Sequence, residues 1–303
     1  MDFSVWVLGL AVLAGLIWAI DAIFFRAHRR QGAVNAPADP VQDPPLVDWA
    51  KTLFPVLLVV FVLRAFVAEP FRIPSGSMMP TVNVGDFILV NKSSYGWRWP
   101  GLNTRMMGQA TPQRGDVIVF RFPGYPCPSP SGGTVRSGDA TCLDPKRPVP
   151  AENWIKRVIG VPGDRVTMEG DTLTVNGKPV DDRFVGPFTG NRALFDNRLL
   201  LDNAGTRWTE TLSRNDGTTV THDVFRMNDI VKPTVLPNSH NPDVVPVGCY
   251  LVLGDNRYDS VDSRWWGCVP DQNLVGRAFV IWLSVPGSAA GGIDWGRMGR
   301  RIQ

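Results

Sequence analysis

A chain of 303 residues can hold one large or two modest domains, and 44% hydrophobic with 19% charged residues is not the composition of a disordered polymer. The net charge is only +3 and the basic residues are scattered, so no dense stripe exists to neutralise phosphates, and nucleic acid is excluded as the main partner. The 26 prolines and 30 glycines call for many turns and, with short Val/Ile/Phe runs, predict a mainly β body.

Two apolar segments come first. Phe3 to Phe25 carries a single charge, Asp21. At ~1.5 Å per residue it is long enough for a hydrocarbon core of about 30 Å, and it lacks the basic start of a secretory signal peptide. Residues 1–25 are therefore read as a first transmembrane helix. Trp49 to Val67 has Lys51 near one end and Arg64 near the other, where both can snorkel, so 49–68 is read as a second; a buried core helix is its alternative. Residues 26–48 between them hold a Pro-rich linker, and Arg26, Arg29, Arg30 and Lys51 crowd this connection while Met1 and Asp2 offer no basic side chain. The positive-inside rule places the linker in the cytoplasm and everything after about Ala68 across the membrane.

Short apolar runs then follow. Phe87–Val90 and Val117–Phe120 are each preceded by a Gly-Asp turn, Trp154–Val158 alternates, and Asn176-Gly177 is a two-residue hairpin signal inside Asp171–Val180. Strand signals return at Tyr250–Leu253 and Ala278–Leu283. The more polar stretch 181–241 reads as a smaller β-rich lobe inserted into a core made of 69–180 and 242–303. The Gly-rich tail from Ser284, with its basic end, reads as solvated. Of the four cysteines, Cys127 and Cys142 flank a Pro/Gly/Ser-rich loop and are the better disulfide candidates; Cys249 and Cys268 remain unassigned. No C-x-x-C pair occurs and His28, His222 and His240 are dispersed, so neither a metal nor a cofactor is expected.

Three segments offer chemistry. Pro74-Ser75-Gly76-Ser77-Met78-Met79-Pro80 is a turn that presents hydroxyls, and in isolation it would be no more than a turn. Trp154-Ile155-Lys156-Arg157-Val158-Ile159 puts Trp154, Lys156 and Val158 on one strand face, a setting that desolvates an ammonium and lowers its pKa. Standing alone, such a lysine would more often be an exposed edge residue. Gly254 to Arg264 is rich in hydroxyl, acidic and basic groups and could equally be an ion-paired surface loop. A Ser-His pair through His222 or His240 is a weaker option, since both lie in the polar lobe.

Taken together, PSGSMMPT, WIKRVIGVPGD and GDNRYDSVDSRWWG, in this order after two spans, resemble bacterial signal peptidase I over about Glu69–Asp164 and Val245–Ser284. The resemblance implies an antiparallel β-sheet catalytic domain of two β parts beside the bilayer. It implies Ser77 as nucleophile and Lys156 as general base, with Ser75 and the Ser77 N–H as an oxyanion hole. Ser260 would hydrogen-bond and orient Lys156, Asp262 and Arg264 would pair beneath that loop, and Asp255 and Arg257 would be scaffold. The implied substrate is the signal peptide of an exported preprotein, cut after small residues. Phe71, Ile73, Pro74, Met78, Val82, Trp154 and Ile155 match as pocket walls, and Trp154 departs from the smaller aromatic often found there. Trp97, Trp99 and Pro100 are candidates for a membrane-facing surface, or else for a cluster packed inside a hairpin. The long segment between Phe122 and Asn153 is a departure from some relatives and is read as a surface excursion without a role.

Two rivals from other classes are a two-span envelope protein whose β body only binds peptides, and a Ser-Lys self-cleaving regulator. The anchors and the lack of a DNA-binding helix pattern weigh against the second; loss of function on removing the Ser77 hydroxyl would weigh against the first. The charge asymmetry itself makes a prediction. Protease added to spheroplasts should cut the body after Ala68 and spare the Gln31–Asp48 linker, and cleavage of the linker alone would reverse the orientation.

Overall fold

The computed structural model describes residues 3–27, 29, 43–99, 105–108, 110–129, 132–189, 204–227, 244–285 and 292–303. His28, Arg30, Pro100 and His240, most of the Pro-rich linker, and 190–203 and 228–241 of the predicted lobe lie outside them. Two compact units result: 1–69 with 98–104, and 70–97 with 105–303.

In the first unit, helix α1 (Phe3–Ile20) runs into a wider turn at Asp21–Phe25, and α2 (Pro45–Val62) into another at Leu63–Val67. Helix α2 begins four residues before the apolar run that marks it in the sequence. Pro45 explains this, since a first-turn proline loses no hydrogen bond and its φ is already helical. The helices meet where Gly15 leaves room for the Phe54 ring, and Trp18 packs on the same ring at 5.7 Å. Asp21, the one charge of the first run, is paired with Arg29 at 2.6 Å. Elsewhere Leu10, Leu13, Leu16, Val56, Val59 and Leu63 stand exposed along the helices.

The second unit is built on strands. In chain order these are β1 (Ala68–Arg72), β2 (Asp86–Asn91), β3 (Trp97–Arg98), β4 (Arg105–Met107), β5 (Val117–Arg121), β6 (Tyr125–Pro128), β7 (Thr134–Ser137) and β8 (Asn153–Gly160). They continue with β9 (Val166–Glu169), β10 (Thr172–Val175), β11 (Lys178–Pro179), β12 (Asp181–Thr189), β13 (Ala204–Ser213) and β14 (Thr219–Met227). Last come β15 (Cys249–Leu253), the short helix α3 (Ser263–Trp266), β16 (Val269–Pro270) and β17 (Leu274–Ser284). Seven form the main sheet, in the order β1-β2-β17-β5-β8-β15-β16. Strand β17 organises it, pairing antiparallel with β5 through its first half and with β2 through the rest, with register shifts that curl the sheet.

Strand β8 lies between β5 and β15, pairing Lys156 with Ile118 and Val158 with Val252. Every residue from Ile155 to Gly160 is buried, so this strand has no solvated face, and the Lys156-Arg157 pair sits inside the protein. Strands β9–β11 form a sheet of their own, closed by Asn176 and Gly177, both at positive φ as a tight hairpin turn requires. Strands β12–β14 form another, and Leu212 and Val220 from it share a buried cluster with Ile159, Val166, Leu251 and Leu253 of the main body.

The segment 122–153 is not a bare excursion. Strands β6 and β7 pair within it, Cys127 is bonded to Cys142, and Arg136 donates to Trp266 O at 2.7 Å. A second disulfide joins Cys249 at the start of β15 to Cys268, just before β16. It closes a loop with a sequence separation of 19 that contains Gly254 to Arg264. Replacing both Cys249 and Cys268 by serine should lower unfolding stability by about 3 kcal/mol, read from denaturant melts in detergent. Replacing neither but mapping peptides without reductant should recover both linked pairs.

Candidate active site

Residues 73–82 form a knot of short turns. Ile73 N–H donates to Asp86 O and Gly85 N–H returns to Ile73 O, while Met79 N–H bonds Gly76 O and Val82 N–H bonds Met78 O. The chain therefore reverses at Gly76-Ser77, leaving Ser75 exposed and Ser77 half-buried. From β8, Lys156 Nζ donates to Ser77 Oγ at 2.8 Å and to Ile155 O at 2.8 Å. Ser75 Oγ lies 3.4 Å from Ser77 Oγ.

The lysine is only 4% exposed, and its Nζ lies 5.6 Å from the centre of the Trp154 ring. Burial is the main force on its protonation, because an ammonium away from water loses hydration that a neutral amine hardly needs. The amine pKa is pushed from its ordinary 10.5 down to about 8, with Asp262, Asp255 and Asp259 pulling against the shift and Arg264 adding to it.

The loop after β15 holds the corner in place. Asn256 N–H donates to Ser77 O at 3.1 Å and its Nδ2 to Gly76 O at 3.2 Å. Asp262 accepts two bonds from the Arg264 guanidinium, at 2.7 and 2.8 Å, and one from Gly254 N–H at 3.0 Å. Gly254 is squeezed: a Cβ there would lie 2.2 Å from Ser260 Oγ and 2.5 Å from Ser77 O. Ser260 itself differs from expectation. Among the described residues its buried hydroxyl has no hydrogen-bond partner, and the lysine's second bond goes to the carbonyl of Ile155 instead.

Two participants, Arg157 and Glu210, escaped the sequence reading. Arg157, fully buried, forms a double bond-pair with Asp255 at 2.8 and 2.7 Å. An arginine inside an otherwise apolar strand was the available signal, since a buried guanidinium must have a partner. Arg257 likewise pairs twice with Glu210 of β13, at 2.6 Å each, which ties the lobe to the site loop. Nothing local in the lobe sequence marks Glu210 for this. His222 lies 3.7 Å from Glu210 and 3.9 Å from Asp255, and its ring nitrogens have no hydrogen-bond partner among the described residues. Burial, with Arg157 and Arg257 nearby, holds its pKa well below the ordinary value, so it is a neutral core residue, and no hydrogen bond joins it to Ser77.

The expected pocket residues divide. Ile73, Met78, Val82 and Ile155 share one buried cluster with Phe71 packed against it, and Pro74 is exposed beside them. Met78 and Val82 expose no surface of their own, so here they are core beneath the corner rather than walls. Trp154 belongs to a different cluster, stacked on Phe122 at 4.3 Å and set edge-on to Trp266.

A serine hydroxyl at a tight corner, bonded to an amine that burial keeps from full protonation, is equipment for hydrolysis by acyl transfer. Comparison with known proteins gives the family. Residues 46–283 match the model for signal peptidase, peptidase S26, and the chain belongs to that family of serine peptidases. Signal peptidase I of Pseudomonas fluorescens is 36% identical, covering 94% of this chain and 93% of that protein. The Pseudomonas aeruginosa protein of the same name is 35% identical over 94% of this chain and 93% of its own, and that of Haemophilus influenzae 34% over 93% and 86%.

The crowding at Gly254 makes a prediction. Gly254→Ala should cut peptidase kcat/KM by about 100-fold or more, because the added methyl displaces Ser77. The same substitution should cost about 1–3 kcal/mol in a denaturant melt, since the corner has no room to relax. Wild-type turnover in the folded variant would show that the corner tolerates the shift.

Proposed function

We propose that this chain is a membrane-anchored signal peptidase that removes N-terminal signal peptides from exported preproteins, cutting after small residues, by a Ser77 nucleophile and a Lys156 general base. The 2.8 Å bond from a buried Lys156 Nζ to Ser77 Oγ carries the reading. Neutral Lys156 takes the hydroxyl proton as Ser77 Oγ attacks the scissile carbonyl. The Ser77 N–H and the Ser75 hydroxyl stabilise the oxyanion. Collapse of the tetrahedral intermediate passes that proton to the departing amine of the mature protein and leaves an acyl-enzyme. Lys156 then deprotonates a water, which releases the signal peptide as a carboxylate and frees Ser77. Asp262 and Arg264 support the loop that faces the base. No metal or cofactor enters this sequence.

Phe71, Ile73, Pro74 and Ile155 suit a shallow apolar pocket for a small side chain, and Trp154, locked by Phe122, would limit its depth. The two helices, long and apolar enough to cross a bilayer and with many large apolar side chains exposed, fit a membrane, and the basic connection argues for the β body on the extracytoplasmic side of a bacterial inner membrane. Trp97 and Trp99, each about half exposed, suit a headgroup layer. The partners are then exported preproteins and lipid, with no nucleic acid.

The protonation of Lys156 is the test. Its folded pKa of about 8 lies below the 10.5 of an unfolded chain, so activity should rise with pH along a limb centred near 8. Stability should rise too, because between those two values the unfolded chain binds more protons than the folded one. Lys156→Arg should be folded and inactive, since guanidinium stays charged. Ser77→Ala should also fold and cleave nothing. Preprotein cleavage at the wild-type rate by either variant would refute the mechanism.

A further inference from the structure

The basic tail keeps most of its side chains exposed, yet its backbone is bonded to the main sheet. Asp294 N–H donates to Ser284 O, Ile281 N–H to Arg300 O, Gly299 N–H to Ile281 O, and Ile302 N–H to Phe279 O, so the segment runs back along β17. Arg297 fastens it, its guanidinium donating to the Asp86 carboxylate at 2.6 Å and to Thr81 O at 3.1 Å. Thr81 belongs to the same knot of turns as Ser77. These bonds make Asp294–Gln303 a strap laid antiparallel along the second half of β17, on the edge opposite β2.

Two of its residues reach the site from behind. Ile302, 5% exposed, packs in the cluster that holds Ile73, Met78, Val82 and Ile155. Gln303 O accepts from Arg157 Nη1 at 2.5 Å, a donor shared with Gly115 O at 2.7 Å. The other face of that guanidinium holds Asp255, and the residue after Asp255 is Asn256, whose N–H grips Ser77 O. Arg157 is also the chain neighbour of Lys156. A buried guanidinium keeps its orientation only while its donors are met, so the strap carbonyl is one of the groups that fix this turn.

We propose that the 294–303 strap is a positioning element for catalysis: through Gln303 O, Arg157 and Asp255, and through Ile302 beneath the corner, it holds Ser77 against Lys156 and keeps water from the base. The proposal rests on the Ser77–Lys156 reading. Asp262, Asp255 and Asp259 favour the charged lysine, whereas Arg264 and burial oppose it. His222 and Glu210 stand beyond Asp255. The strap lies on the Arg157 side of β8 and reaches the lysine through the Ser77 corner. Loosening it lets the corner draw away and opens the amine to water, which weakens the desolvation that dominates this balance and raises the lysine pKa.

Deletion of Gln303 and, separately, Ile302→Ala would be made in the full-length protein in detergent, with Ile302→Val as the conservative variant and a preprotein as substrate. Expected are a fall in kcat of about tenfold with KM within about twofold, since positioning acts on turnover rather than on peptide binding. The ascending limb should move up by about half a pH unit or more. Amide exchange in 254–257 should speed up, and Ile302→Val should restore all three readings. If the deletion does not fold, Ile302→Ala decides by the same readings. Folded variants with wild-type kcat and an unmoved limb would overturn the proposal. So would a loss of activity equal to the unfolded fraction with the limb unmoved, because that is what a merely stabilising strap would give. Cleavage surviving in Ser77→Ala would instead strike the dyad, while the exchange result would still judge the strap's hold on the loop.

Discussion

The removal of one lysine from water governs much of this structure. A solvated amine is almost wholly protonated at neutral pH; enclosed on β8, Lys156 falls to about 8. That enclosure needs neighbours on every side. Strands β5 and β15 cover the backbone, Trp154 lies over the amine, and the loop after β15 closes the approach while leaving Ser77 within 2.8 Å. Burying an ammonium costs several kcal/mol, so the surroundings must be stable enough to hold it.

The geometry around it is fixed by paired charges and disulfides. Arg157–Asp255, Arg257–Glu210 and Arg264–Asp262 are all buried and doubly bonded. Such pairs contribute little net energy over apolar packing, yet losing one partner strands a charge, which ties each pair to a single geometry. Each joins elements distant in sequence or braces the site loop from within. The loop is thus fixed by directional bonds where apolar packing alone would leave it free to slide.

This arrangement gives β12–β14 a connection to the site. Glu210 reaches from that sheet to Arg257, and the backbone of Phe225 bonds both Asp255 and Arg257. The segment 122–153 is joined in a comparable way, through Phe122 on Trp154 and Arg136 on Trp266. Two regions that look peripheral in the chain therefore bear on residues around Lys156.

Much was legible without coordinates, because its physics is local. Hydropathy runs mark two helices, Gly-Asp and Asn-Gly turns mark strand starts and a hairpin, and three motifs carry the family. Strand alternation was enough to place Trp154, Lys156 and Val158 on one face, and Trp154 and Val158 do share a cluster. The Asp262–Arg264 pair, two residues apart, was expected, but the distant partners were not, since Arg157 meets Asp255 and Arg257 meets Glu210 across 98 and 47 residues. Nor could the sequence show that the Ser260 hydroxyl has no partner among the described residues, that Met78 and Val82 turn inward, or that Gln303 lies against Arg157. Burial and pairing depend on which elements fold together, so they are decided by the tertiary structure; periodicity and turn chemistry depend on neighbours in the chain, so the sequence alone determines them.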